Sequence, residues 1–440
     1  MGEGGRNYGE KGEHERGSSA FSRAAVRKPS FRLKAGKGAC LDVPPDVARK
    51  LGLEPGAELE FIFDGGRVEV RPNIHSLSRV YIEPTTRCNL ACGTCIRNTW
   101  REPLGDMDIA VFDRLVTQLK KFPHVESVMF GGFGEPTVHQ DILTMIAAVK
   151  GLGLRAEMVT NGTRLDGALL SGLMTSGLDT LWVSFDGTSE ACFEGIREGA
   201  DYGRVVASLK GLREMNAKGP RAIELGIAFV VMKRNIGDLR RIDRLIEAVG
   251  ASRVSVSNVL PYSADMEREM VCGLAVSLET FSAVPGKAEI SLPRLDINNL
   301  TKDAVFELLR GYDNLTLMGN PVRTEIKSCR FIRGRCTFVR WDGKVSPCMG
   351  LLHDHTTYLN GNERRIEAYA AGDVVRDGLF EAWNSEEYRA FRNKVDAFDF
   401  SPCHACGGCN HLENNREDCF GSSFPACGGC LWAQGVIQCP

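Results

Sequence analysis

The sequence predicts an α/β protein: a partial (β/α)6 barrel of TIM type, preceded by a small β-rich domain and followed by a loop-rich, cysteine-dense domain. Three observations carry that prediction. Between residues 80 and 260, six short apolar runs alternate with amphipathic stretches, the pattern of parallel strands wrapped by helices. Ten of the 16 cysteines fall between Cys329 and Cys439, several of them in Cys-x-x-Cys pairs. At 440 residues, the chain is long enough for two or three domains with cores of their own.

Composition narrows the function classes. A formal net charge of -2 with 25% charged residues gives no bulk attraction to nucleic acid or to a membrane surface. No run of eighteen apolar residues offers a membrane span, and the stretch MGEGGRNYGEKGEHERGSS has no apolar signal segment. Arg6 stands where a myristoylation pattern needs Ser or Thr. The expectation is a cytoplasmic protein whose thiols are reduced and available to metal, not paired as disulfides.

Residues 1–28 are rich in Gly, Ser, Glu, Arg and Lys and read as a solvated tail. Residues 29–73 read as the β-rich domain. FRLKAGKGACLDV suits a strand, PPDVARKLGL a short helix begun by proline, and GAELEFIF with RVEVRP a hairpin. In that hairpin Leu59, Phe61 and Phe63 alternate with Glu58 and Glu60, and Asp64-Gly65-Gly66 supplies the turn. The unit resembles the AbrB-like swapped-hairpin fold, whose members pair two copies and often bind DNA. Because it carries as many acids as bases, a dimerising or docking module is expected here and DNA is not.

Residues 74–275 form the expected barrel, with strands at 80–84, 125–132, 154–160, 178–187, 223–232 and 252–260. Helical stretches such as VFDRLVTQLKKF, DILTMIAAVKGLG, DGALLSGLMTSG and IGDLRRIDRLIEAVG lie between them. In such a barrel the chemistry gathers at the C-terminal ends of the strands. Residues 276–325 read as a bridging segment. Residues 326–440, with little helix or strand periodicity, read as a metal-stapled domain.

The chemistry-bearing motifs sit where that architecture puts them. Directly after the first strand, RCNLACGTC places Cys88, Cys92 and Cys95 in a short stretch. Three thiols can hold an iron-sulfur cube while leaving one iron open to a substrate or cofactor. The same spacing could lay three small buried cysteines along one helix stripe, but Pro84 and Gly93 favour a loop. After the second strand comes GGFGEP, with Gly131, Gly132 and Gly134 for close backbone approach and Glu135 as an acceptor for an ammonium group. Asn161 follows the third strand in TNGT, and Ser184 and Asp186 follow the fourth in SFDG, presenting short polar side chains able to hydrogen-bond a ribose. Each of these strings alone is ordinary turn chemistry; their register with the cysteines sets them apart.

Together these residues resemble the radical S-adenosylmethionine enzymes. The resemblance implies that Cys88, Cys92 and Cys95 ligate a 4Fe-4S cluster whose free iron binds the amino and carboxylate groups of S-adenosylmethionine. It implies further that Gly131, Gly132, Gly134 and Glu135 meet the methionyl ammonium, that Asn161, Ser184 and Asp186 lie near the ribose, and that reductive cleavage yields a 5'-deoxyadenosyl radical. Thr94 departs from the family, which commonly has an aromatic residue there against adenine.

The C-terminal cysteines resemble a SPASM-type auxiliary-cluster domain. Cys329, Gly343 and Cys348 open the pattern, with Cys336 inside it, and Cys403, Cys406, Cys409, Cys419, Cys427, Cys430 and Cys439 follow. The resemblance implies two auxiliary 4Fe-4S clusters drawing on eight of the ten. Paired Cys-x-x-Cys knuckles also build four-cysteine zinc sites. His353, His355, His404 and His411 read as surface groups or as supports for ligands. Cys40, Cys192 and Cys272 read as packing residues.

VYIEPTTRCNLACGTCIRNTWREPLGDM, VSNVLPY and CLWAQGVIQCP are most similar to the maturases associated with tungsten-cofactor oxidoreductases. That resemblance implies a protein or peptide substrate or a tungstopterin-enzyme client, and a low-potential electron donor such as ferredoxin or flavodoxin. A maturase of a ribosomally made peptide and an iron-sulfur-sensing DNA-binding regulator are the alternatives.

Overall fold

The computed structural model describes residues 43–51, 60–64, 67–71, 73–273, 276, 290–296, 298–311, 315–318, 320–321, 329–401, 406–409 and 412–440. The chain divides into two units, residues 1–48 and 49–440. Within the β-rich segment the expected helix is present at Pro45–Leu51. The expected hairpin pairs β1 (Glu60–Asp64) with β2 (Arg67–Arg71), Asp64 opposite Arg67; the expected turn residues Gly65 and Gly66 lie outside the described residues. The expected strand FRLKAGKGACLDV falls almost wholly outside the described residues, as do Cys40 and the tail.

The six expected strands form one parallel sheet in chain order: β3 (Arg79–Ile82), β4 (Ser127–Phe130), β5 (Arg155–Thr160), β6 (Thr180–Ser184), β7 (Glu224–Val231) and β8 (Arg253–Asn258). Short apolar runs buried on both faces make such strands, and β4 is buried at every position. Helices Ile109–Leu119, Ile142–Gly151, Gly167–Ser176, Tyr202–Lys218 and Ile242–Val249 make the crossovers. Their ends follow local chemistry. The side chains of Asp108, Asp166 and Asp201 accept backbone N–H groups at three N-termini, and Gly177 and Gly250 close two helices with φ of 86° and 76°.

Strand alternation separates two cores. Val80, Ile82, Val128, Phe130, Leu181 and Val183 face the helices. Tyr81, Met129 and Trp182 face the other way, into a core shared with Phe331, Phe338, Leu431, Trp432 and Val436 of the C-terminal segment. The sheet stays open at β8, and the chain's last residues pack against that strand and reach back to β3. Asn258 donates to the Val436 carbonyl at 2.9 Å, the Gln438 N–H to Ser257 at 3.0 Å, and Tyr81 to the Pro440 carbonyl at 3.3 Å.

Among its loops the C-terminal segment carries several short regular elements. β12 (Cys336–Val339) adds a parallel strand beside β3, and β13 (Lys344–Ser346) and β16 (Gly372–Asp373) extend the sheet to nine strands. β14 (His355–Leu359) and β15 (Asn362–Ile366) form a separate hairpin, and helices Leu379–Asn384 and Glu386–Asp396 follow. Strands of two to five residues are too short to show a period, which is why the sequence concealed them. In the bridging segment, β9 (Ile290–Leu292), β10 (Leu315–Leu317) and β11 (Asn320–Pro321) make a small sheet of their own. Among the described residues no helix is long and apolar enough to cross a membrane.

Candidate active site

The three-cysteine stretch is a loop on the C-terminal end of β3, so the helix-stripe alternative does not hold; helical structure begins only at Ile96–Thr99. Hydrogen bonds close its neck. Thr86 N–H reaches the Gly105 carbonyl at 2.9 Å, Gly105 N–H reaches Thr86 Oγ1 at 2.8 Å, and Thr85 Oγ1 donates to Asp106 at 2.6 Å. The outer part is gripped from the far side of the barrel. Ala91 N–H meets the Glu198 carbonyl and Gly93 N–H the Ile196 carbonyl, both at 3.2 Å. Tyr262, just past β8, donates to the Gly93 carbonyl and accepts from Asn98 at 3.0 Å.

The thiols of this loop feel one another. Burial pushes Cys92 up to about 11; the Arg197 guanidinium pulls it down while neighbouring Cys95 and Cys88 push it further up. Burial also raises Cys95. Such thiols ionise when a bound cation or cluster takes up the charge. Asn161 directs its amide at Cys88 Sγ across 3.8 Å and at Asn89 Oδ1 across 3.0 Å. Three mutually interacting sulfurs with an amide donor and a guanidinium beside them fit a thiolate-held cluster.

Arg197 gave no signal in the sequence. It is 9% exposed, and its Nη2 lies 2.7 Å from Asp186 Oδ2. Asp186 is fully buried and also accepts the Val230 N–H at 2.8 Å. Its carboxylate is therefore engaged in holding Arg197 and β7, a different task from the ribose contact the sequence suggested. Ser184 ends β6, half-buried.

The glycine loop packs on the stem of the cysteine loop. A Cβ on Gly134 would collide with the Thr85 and Arg87 carbonyls, and one on Gly132, whose φ is +121°, with the Glu83 side chain. Gly131 has ordinary space around it. Glu135, 2% exposed, ties two strand ends together. Its Oε1 accepts from Thr137 N–H at 3.0 Å, Thr137 Oγ1 at 2.6 Å and Thr160 Oγ1 at 2.7 Å, and its Oε2 accepts from Asn161 N–H at 2.6 Å. Four donors thus meet the roughly four acceptor positions of this carboxylate.

In the C-terminal domain, Cys329, Cys348, Cys427 and Cys430 line one cavity with Arg364, His355 and Trp432. Burial and the neighbouring Cys430 push Cys329 up to about 12, and Cys348 and Cys427 stand well above the ordinary thiol value for the same reasons. Of the two readings of His355, surface group or support for ligands, burial rules out the first: it is 4% exposed, and burial lowers it to about 4. Its Nδ1 meets the His353 carbonyl at 3.0 Å, while Nε2 is buried without a partner among the described residues. Buried thiols, an orphaned imidazole nitrogen and a buried guanidinium fit a metal-bearing cavity. A zinc ion draws four sulfurs onto one point about 2.3 Å away, whereas a cube spreads them over separate irons. Among the described residues no three His, Cys, Asp or Glu side chains converge on a single ion.

The remaining cysteines lie elsewhere. Cys336 stands at the start of β12, where Arg79, Cys329 and Cys439 bear on it. Cys406 is buried, Cys409 half-buried, and Cys419 exposed with its thiol 3.6 Å from Ser401 Oγ. Cys403, His404 and His411 lie outside the described residues. Cys192 and Cys272 pack against the inner core. The two Cys-Gly-Gly-Cys strings interlock, because a Cβ on Gly429 would run into Arg364 and Gly407.

Residues 82–246 match the Radical SAM superfamily and residues 329–410 the SPASM iron-sulfur cluster-binding domain. The chain is 29% identical over 368 residues to the tungsten-containing aldehyde ferredoxin oxidoreductase cofactor-modifying protein of Pyrococcus furiosus, spanning 82% of this chain and 96% of that one. It is 24% identical over 345 residues to the mycofactocin maturase of Mycobacterium ulcerans, 78% of this chain and 82% of that one. Among solved structures, Streptococcus suis SuiB bound to S-adenosylmethionine aligns over 78% of this chain and 73% of that chain with a TM-score of 0.49 and 16% identity.

Proposed function

We propose that this chain, a radical S-adenosylmethionine enzyme that uses 4Fe-4S clusters and S-adenosylmethionine, is a maturase for a tungsten-cofactor oxidoreductase, modifying its cofactor or the client protein itself. The observation that carries the reading is the loop of Cys88, Cys92 and Cys95, held at the mouth of six parallel strands with a glycine loop packed on its stem. In the proposal these three thiolates hold the radical cluster, Asn161 supports Cys88, and Arg197, fixed by Asp186, offsets their charge. Gly131, Gly132, Gly134 and Glu135 receive the methionyl ammonium, and Asn161 and Ser184 face the ribose. Cluster and S-adenosylmethionine, when bound, supply one-electron chemistry that removes a hydrogen atom from substrate; the protein orients them and excludes water.

Cys329, Cys348, Cys427 and Cys430 are the proposed ligands of one auxiliary cluster, and four of the remaining six C-terminal cysteines serve a second. The domains are proposed as 29–73, AbrB-like and docking or dimerising; 74–275, the radical barrel; 276–325, a bridge; and 326–440, the auxiliary-cluster domain. A ferredoxin or flavodoxin is the proposed electron donor. The tungsten client is supported by the likeness to the Pyrococcus furiosus protein across 96% of its length. A peptide substrate is the second reading, favoured by the likeness to the mycofactocin maturase.

Anaerobic protein reconstituted with iron and sulfide, reduced and given S-adenosylmethionine, is expected to release 5'-deoxyadenosine, and Cys88→Ala is expected to release none. If the parent releases none, or Cys88→Ala matches it, the radical reading is wrong. Mass spectrometry of a co-incubated tungsten oxidoreductase and its extracted cofactor, against a precursor peptide, then separates the two client classes.

A further inference from the structure

At the mouth of the barrel, four segments meet on one imidazole. His353 and Glu83 have side chains only 1% exposed, and His353 Nε2 lies 2.7 Å from Glu83 Oε2. His353 Nδ1 lies 3.2 Å from Glu102 Oε2. The other oxygen of Glu83, Oε1, accepts the Phe133 N–H at 3.2 Å, inside the glycine loop, and its side chain fills the space a Cβ on Gly132 would need.

Glu102 follows the cysteine loop and is bound to the C-terminal domain. It accepts the Asp354 N–H at 3.0 Å and Arg340 Nη1 at 3.0 Å, and Arg340 forks onto Asp342 at 2.8 and 2.5 Å. Trp100 stacks on the His353 ring with centroids 4.2 Å apart, and Phe133 meets Trp100 edge-on at 5.5 Å. One knot thus joins the stem of the cysteine loop, its exit, the glycine loop and the C-terminal domain. The middle group is decisive: without His353, Glu83 is a buried carboxyl group with one oxygen left unpaired and the other bonded to the loop it must hold still.

We propose that His353 is a positioning residue for S-adenosylmethionine: through Glu83 it holds the Phe133 amide and fixes the course of residues 131–135, making the C-terminal domain part of the cofactor pocket. This rests on the reading of residues 131–135 as the ammonium-binding loop. The histidine itself touches neither cluster nor substrate; it acts through Glu83. The C-terminal domain therefore affects cofactor affinity without donating an atom to the cofactor.

The test uses the full-length, iron-loaded protein and the variants His353→Ala, His353→Gln and Glu102→Gln. The readouts are the S-adenosylmethionine dissociation constant, the change that S-adenosylmethionine makes in the electron paramagnetic resonance spectrum of the reduced cluster, iron per chain, and the melting curve. His353→Ala is expected to weaken binding by about tenfold or more, as loss of a charge-assisted bond predicts. His353→Gln, which keeps a side-chain N–H toward Glu83, recovers most of it, and iron per chain stays at the parent's value. Glu102→Gln, on a partly exposed side chain, weakens binding by about threefold and carries the test if His353→Ala does not fold. Parent-like binding in both His353→Ala and Glu102→Gln overturns the proposal, as does affinity that falls only in step with lost iron. If the parent itself binds no S-adenosylmethionine, the reading of the loop falls first and the proposal with it.

Discussion

Replacing Asp186 with asparagine isolates the charge balance beside the cysteine loop. Asp186 is fully buried, Arg197 is 9% exposed, and the two lie 2.7 Å apart. Asparagine keeps an oxygen for the Val230 N–H, so the change removes the charge and little else. Breaking one side of a buried pair costs about 3–5 kcal/mol, because the surviving guanidinium is left uncompensated. The thiols of Cys92 and Cys88 lie close enough to raise the affinity of Arg197 for its proton. Thiolates fixed by a bound cluster therefore return part of that cost, on the order of 1–3 kcal/mol. The expected outcome is unequal: anaerobic denaturant unfolding followed by circular dichroism shows a large loss in iron-free Asp186→Asn and a smaller one after reconstitution. Equal losses in the two states would mean that Arg197 does not interact with the cluster ligands. An iron-free variant within about 0.5 kcal/mol of the parent would refute the pair's role altogether.

Gly134→Ala sets a methyl group on the Thr85 and Arg87 carbonyls, so unfolding should be easier by about 1–3 kcal/mol and 5'-deoxyadenosine release should fall, both measurable on one preparation. Burial alone would lower His353, but hydrogen bonds and charge from Glu102 and Glu83 outweigh it and hold the imidazole above its ordinary value. Its contribution to stability is then complete below about pH 6.5 and is lost as pH rises through the raised folded value, so melting temperature against pH should fall above neutrality in the parent and flatten in His353→Gln. Arg364, 2% exposed, lines the cavity of Cys329, Cys348, Cys427 and Cys430; Arg364→Gln should retain less iron after desalting, whereas Cys192→Ser should retain the parent's amount.

The helix-wrapped parallel sheet was legible in the sequence because its strands are short apolar runs, those at its centre, such as β4 and β6, buried almost throughout. Each of the six apolar runs became a strand within a few residues of its expected bounds, and the glycine and polar clusters fell at strand ends as barrel geometry requires. β12 was not legible: Cys336 to Val339 is four residues long, and only its parallel pairing with β3 makes it part of the barrel sheet. The two histidines stayed open between surface groups and supports for ligands for a related reason. His353 and His355 lie in a stretch of mixed polarity, LLHDHTTY, and nothing local says that both rings are buried.

By itself the sequence determined the order of the strands, the three-thiol loop after the first of them and the cysteine density of the C-terminal domain, because period and spacing are local properties of a chain. Tertiary structure alone decided which groups share a site. Arg197 meets Cys92 across about a hundred residues of chain, and four cysteines between positions 329 and 430 meet around one cavity. His353 reaches Glu83 from 270 residues away. Contacts of that span depend on how sheet, helices and C-terminal domain pack together, and no window of sequence contains them.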